Sequence, residues 1–172
     1  ISRRQRQMCI RDRSCNDGTD LYFTDMRNFG TLKFVIGKQA MLKKLKSLGP
    51  DMLAEDVTTD RFKERLMTKK SHTIAQGLMN QKLICGIGNY VKAEALYFAR
   101  ISPHRLISSL TDDEFARLND SCKKVLRDSY QVGGSTIRTY KTFDGKVGGY
   151  SQHFAVYAQK TCPLGYEIVK EE

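Results

Sequence analysis

Gln81-Lys82-Leu83-Ile84-Cys85-Gly86-Ile87-Gly88-Asn89-Tyr90, continuing into Val91-Lys92-Ala93-Glu94-Ala95-Leu96-Tyr97, is the stretch around which the chain is arranged. Ile74, Leu78 and Cys85 fall at helical spacings before the two glycines, and Ala93, Leu96 and Tyr97 do so after them, so two helices are predicted to meet at a tight turn. Gly86 suits the C′ position of the first helix, because it takes φ > 0 without a Cβ penalty. Asn89 then reads as the N-cap of the second. A helix N-terminus preceded by glycines leaves backbone N–H groups unshielded at the positive end of the helix dipole, which is the chemistry of a phosphate seat. The plainer alternative is that Gly-x-Gly closes a helical hairpin and Asn89 does nothing but cap its own helix.

The composition leans toward the first of these. The 172 residues carry a formal charge of +10, which favours a polyanionic partner, and 40% hydrophobic content is enough for a core in one or two domains. No run reaches transmembrane length and no signal-peptide pattern is present, so a membrane role is not expected. The expected location is cytoplasmic, nucleoid or nuclear, not secreted. Residues 1–13 hold five Arg and one Asp without helical or strand periodicity. They are expected to be a disordered, non-native leader, the alternative being a basic arm that touches nucleic acid. Five cysteines at wide spacings suit a reducing compartment, with Cys85 and Cys122 read as small buried hydrophobes.

Along the chain the fold class reads as α+β. Leu21-Tyr22-Phe23 and Leu32-Lys33-Phe34-Val35-Ile36 are expected as strands on either side of a polar loop, the tail of a larger sheet that makes up residues 14–46. A short helix over Gln39–Ser47 ends at Gly49-Pro50. Residues 47–140 then read as a compact helical domain. Thr58, Thr59 or Asp60 caps a helix to about Thr68, Ser71 or Thr73 starts the next, and Ser102-Pro103 stops the one after Asn89. Thr111-Asp112-Asp113-Glu114 is a capping box, with Leu110 and Phe115 placed as a hydrophobic staple. Residues 141–172 form the last segment, with Phe154-Ala155-Val156-Tyr157 expected as a strand. Cys162-Pro163-Leu164-Gly165 has the context of a zinc knuckle without its second cysteine, so neither a metal nor another cofactor is expected.

Asp25-Met26-Arg27-Asn28-Phe29-Gly30, Leu48-Gly49-Pro50-Asp51, Gly86-Ile87-Gly88-Asn89, Ile101-Ser102-Pro103, Gly133-Gly134-Ser135-Thr136 and Val156-Tyr157 follow one another in an order and spacing that mean more together than singly. From Asp20 to Tyr157 the chain resembles the formamidopyrimidine-DNA glycosylase and endonuclease VIII family of base-excision repair enzymes. The resemblance implies a β-sandwich, a helix-two-turn-helix domain and a C-terminal β-hairpin finger, here of the metal-free kind. It implies a monomer acting on damaged double-stranded DNA, excising oxidised bases (formamidopyrimidines, 8-oxoguanine or oxidised pyrimidines) by base flipping and Schiff-base chemistry. Gly88, Asn89 and Tyr157 would bind phosphates. Arg27 and Phe29 would enter the duplex to fill the void and wedge the stack. Ser135, Ile137, Arg138, Thr139 and Tyr140 would cradle the flipped base. The family's nucleophile is an N-terminal proline with a glutamate beside it, and neither matches a position here. No catalytic residue is therefore assigned, and the chain is expected to be a DNA-binding fragment. The alternative class is a non-catalytic helix-turn-helix or helix-hairpin-helix module, ribosomal or architectural, for which an Arg-Asn-Phe wedge would have no use.

Overall fold

The structure, a computed structural model, describes residues 9–25, 34–135 and 149–170. The chain divides into two units, Ile1–Met41 and Leu42–Glu172. In the first, β1 (Cys9–Ser14) pairs antiparallel with β2 (Asp20–Asp25), in register from Cys9 opposite Asp25 to Ser14 opposite Asp20. The connecting turn closes through Cys15 N–H donating to the Thr19 carbonyl at 2.7 Å, with Gly18 at φ +82°. This corrects two expectations. The patternless leader does not extend to Arg13, because Cys9–Arg13 have a strand partner, and Phe34–Ile36 form no strand but an exposed irregular segment. Alternation identified β2 but could not identify its partner, since pairing is set by long-range register. α1 (Lys38–Lys46) follows and buries none of its residues.

The second unit is built from four further helices whose starts are written locally. α2 (Thr59–Met67) begins where the Thr58 side chain accepts from Arg61 N–H. α3 (Ile74–Met79) and α5 (Asp112–Gln131) each carry a complete capping box, Thr73 with Gln76 and Thr111 with Glu114. α4 (Asn89–Ala99) ends on Arg100 in the left-handed region, φ 58°. Leu110 and Phe115 are both buried, as a staple requires. α4 and α2 both pack against α5, whose Phe115, Leu118, Cys122 and Val125 line one core with Phe62, Leu66, Ile74 and Leu78. Burial pushes the Cys122 thiol up to about 12, so it behaves as an apolar filler.

The stripe that α4 turns to the core is Val91, Glu94, Ala95, Leu96 and Ala99, whereas Ala93 and Tyr97 lie half-buried at its flanks. Beyond α5 the chain turns at Gly133 and Gly134, and an antiparallel bridge joins Ser135 to Gly149. A short 3₁₀ turn, Tyr150–His153, follows. Phe154–Tyr157 then form no strand, contrary to the alternation in sequence, because the N–H groups of Ala155, Val156 and Tyr157 go to a side chain and not to a neighbouring strand. An isolated antiparallel bridge from Thr161 to Glu167 closes the described chain, with Cys162 N–H on the Tyr166 carbonyl at 2.9 Å.

Candidate nucleic-acid interface

The turn between α3 and α4 is longer than Gly-x-Gly alone suggests. α3 stops at Met79, so Gly86 is not its C′ residue but sits in a second turn, at φ +93°. Leu83, Ile84 and Ile87 fill the space between the two turns and are buried. Gln81 staples the loop: its Oε1 accepts from Gly86 N–H at 3.0 Å and its Nε2 donates to the Ile87 carbonyl at 2.8 Å. Arg65 of α2 reaches in from outside, Nε donating to the Leu83 carbonyl at 3.3 Å and a terminal nitrogen to that of Lys82 at 2.5 Å.

Leu48-Gly49-Pro50-Asp51 lies along the same loop. Gly49 N–H donates to the Gln81 carbonyl at 2.8 Å, Cys85 N–H to that of Pro50 at 2.9 Å, and Met52 N–H to that of Cys85 at 3.2 Å. Cys85 is therefore a half-buried loop residue and not a helical core position. A Cβ on Gly49 would stand 2.2 Å from the Leu83 carbonyl oxygen, so this close approach admits glycine alone.

At the start of α4 the N-cap is Gly88, not Asn89, and no side chain caps the helix. Asn89 is the first helical residue and is exposed. Lys92 N–H goes to the Gly88 carbonyl, whereas the N–H groups of Asn89 and Tyr90 meet no protein acceptor among the described residues. The first turn holds no acidic residue to occupy them. Lys92 Nζ donates to Asn89 Oδ1 at 3.2 Å, which leaves the Asn89 amide N–H₂ as the outward donor. An uncapped dipole end, an amide donor and an ammonium thus lie together in the first turn of α4, a set of groups suited to an anion.

Tyr157 comes to the same helix from far downstream in the chain. Its ring meets that of Tyr90 edge-on, centroids 6.3 Å apart, and that of Phe154 at 5.2 Å. Tyr90 also stacks near Tyr150 and Phe154 and shares a 2.9 Å hydrogen bond with Ser129. Burial, and then the charge of Glu94, push the Tyr150 hydroxyl up to about 12. Beneath this aromatic group lies Glu94, fully buried, whose Oε2 accepts from Ala155 N–H at 2.8 Å and whose Oε1 accepts from Val156 N–H at 2.9 Å and Tyr157 N–H at 2.7 Å.

Of the residues expected from sequence, Gly88, Asn89 and Tyr157 are thus assembled around the start of α4. Ser135 stands at the bridge with Gly149, its hydroxyl out of solvent and without a hydrogen-bond partner among the described residues. Arg27, Phe29, Ile137, Arg138, Thr139 and Tyr140 lie outside the described residues. Gln81, Arg65, Lys92 and Glu94 were not singled out in the sequence. For Glu94 a signal existed: it sits three residues after Val91 and five before Ala99, on the stripe that α4 buries.

Among known proteins, the family model described as "Formamidopyrimidine-DNA glycosylase H2TH domain" matches residues 48–141. The fold and the two-turn loop make this a helix-two-turn-helix protein. The formamidopyrimidine-DNA glycosylase of Neisseria meningitidis is 36% identical over 159 residues, 91% of this chain and 58% of that protein. That of Shouchella clausii is 34% identical over 151 residues, 87% of this chain and 54% of its own length. The MutM (Fpg) crystal structure from Thermus thermophilus superposes with a TM-score of 0.78 at 32% identity, covering 94% of this chain and 65% of that one. Lactococcus lactis Fpg in complex with an abasic-site DNA gives 0.77 at 31%, covering 89% and 57%. The chain belongs to the formamidopyrimidine-DNA glycosylase family, and it spans little more than half the length of the curated relatives named here.

Proposed function

We propose that this chain is the DNA-gripping part of a base-excision repair glycosylase and AP lyase, the enzyme class that removes oxidised bases from duplex DNA. The observation that carries the reading is the uncapped start of α4, where unbonded N–H groups, the Asn89 amide and Lys92 lie within one helical turn. Relatives that bind lesion-containing DNA, among them the Lactococcus lactis protein with its abasic duplex, support the choice of partner. A phosphate bound at Gly88–Asn89 and Tyr157 would hold the backbone next to the damaged nucleotide. Extruding that nucleotide costs a few kcal/mol, and a fixed backbone grip is how a protein offsets it. Arg27 and Phe29 would fill the emptied stack, and Ser135 with Ile137–Tyr140 would receive the extruded base. The activity proposed for these residues is duplex binding, and the borohydride arm below asks separately whether they carry a Schiff-base amine. A plain helix-turn-helix module is the weaker reading, since the family match spans the whole of residues 48–141.

The test is equilibrium binding of the 172-residue chain to an abasic-site duplex across a salt series, with borohydride trapping on the same duplex. Affinity that falls steeply with salt, and no covalent adduct, are expected. Salt-independent or undetectable binding would remove the reading of the turn. A robust adduct would mean that an amine within these residues is the nucleophile.

A further inference from the structure

Glu94 is the one charged side chain among the buried described residues, and its partners among the described residues are the backbone N–H groups of Ala155, Val156 and Tyr157. A buried carboxylate is costly unless its oxygens are fully engaged, and an apolar residue in its place would strand three donors. Helix stability gives no reason to put an acid at this point of α4. What the carboxylate does is replace a β-ladder: three successive N–H groups of a non-strand segment end on two oxygens. Ala158, next in the chain, sits at φ 58°, a left-handed conformation unfavourable for a residue with a Cβ and tolerated where neighbouring contacts over-determine it.

Glu94 and Asn89 stand five residues apart on one helix, about 7.5 Å along its axis at the α-helical rise. We propose that Glu94 is a positioning residue for the DNA grip: by fixing the backbone of Ala155–Tyr157 to α4, it holds the Tyr157 hydroxyl at a set place beside the Gly88–Asn89 seat. This rests on the reading of that seat as a phosphate site. Glu94 itself touches no DNA. It makes two halves of one grip, contributed by segments more than 60 residues apart, move as a single body.

The experiment is a double-mutant cycle on the full chain: wild type, Glu94→Gln, Tyr157→Phe and the pair, each measured for duplex affinity and thermal midpoint. Gln keeps the shape but offers one acceptor oxygen, so an N–H₂ group must face at least one of the three N–H donors. Glu94→Gln is expected to weaken binding about tenfold, the scale of losing one charge-assisted hydrogen bond. In the Tyr157→Phe background the same change should cost no more than about twofold, because the group it positions is already gone. Equal losses in both backgrounds would show a structural role unconnected to Tyr157 and overturn the proposal. Unchanged affinity in Glu94→Gln would do the same. If Tyr157→Phe and changes at Asn89 leave binding intact, the phosphate-seat reading itself fails, an outcome separate from the other two. Amide hydrogen exchange of the wild type needs no variant: Ala155, Val156 and Tyr157 should be protected like the core of α4, and exchange at the rate of exposed loop amides would refute the clamp.

Discussion

Asn89 is the residue at which structure and chemistry part most clearly. As the first helical residue of α4 it does not cap, and its Oδ1 is taken by Lys92 at 3.2 Å. Asn89→Asp should therefore leave the thermal midpoint unchanged or raise it slightly, since an acid in the first turn of a helix is favourable by about 0.3–1 kcal/mol. Binding should go the other way. An outward donor becomes an anion facing a phosphate, and duplex affinity is expected to fall more than about tenfold at low salt, with a smaller loss at high salt as screening grows. Affinity equal to wild type in both buffers would leave Asn89 with no part in recognition. The opposite signs of the two readouts separate helix electrostatics from ligand electrostatics in one variant.

Among the elements, the Leu48–Asp51 segment and the two-turn loop behave as one piece, because Gly49 lets two backbones touch. Gly49→Ala would drive a Cβ into the Leu83 carbonyl, 2.2 Å away in the present geometry, so the loop must shift. A loss of about 1–3 kcal/mol in chemical denaturation is expected, the range for overpacking a close contact. The start of α5 carries a pH dependence. Arg105, bonded to the Glu114 side chain, and then Thr111 N–H hold the Glu114 carboxyl below the usual carboxylate range. A group depressed in the folded state stabilises above its unfolded pKa and loses that contribution as pH falls through its folded value. Wild type should thus exceed Glu114→Gln in stability at neutral pH, and the gap should close on acidification below about pH 4, which urea titrations at stepped pH would follow. A gap that widened on acidification would assign the stabilisation to something other than this ion pair.

At the scale of the molecule, the charge of +10 gives a general attraction for polyanions, and the start of α4 is the place we propose for it. Cys162 donates its backbone N–H to the Tyr166 carbonyl at 2.9 Å, and the chain around it is closed by the Thr161–Glu167 bridge. We propose that this segment holds its shape without a metal, as its single knuckle cysteine implies. Metal analysis of the purified chain is expected to find no stoichiometric zinc. One zinc per molecule would require ligands outside the pattern recognised here.

What could be read from the sequence was encoded within a few residues: Thr58, Thr73 and Thr111 each accept from an N–H three residues on at a helix start, and α4 ends before Ser102-Pro103, as expected. The family resemblance was legible for the same reason, as short motifs in a fixed order, whereas the glycine turn was placed but its cap residues were misassigned, Gly86 lying past the end of α3 and Gly88 capping α4. Only the tertiary structure could show that Phe154–Tyr157, alternating like a strand, are not one. The partner of Ala155, Val156 and Tyr157 is Glu94, 61 to 63 residues away, and no local pattern reports where a distant carboxylate will be buried. The same holds for Cys9–Ser14, whose pairing with Asp20–Asp25 depends on register, and for Gly49, whose necessity lies in the distant Leu83 carbonyl. Caps and turns are short-range chemistry and so are written locally. Which polar groups leave water together is settled by packing, and packing joins residues that the chain keeps far apart.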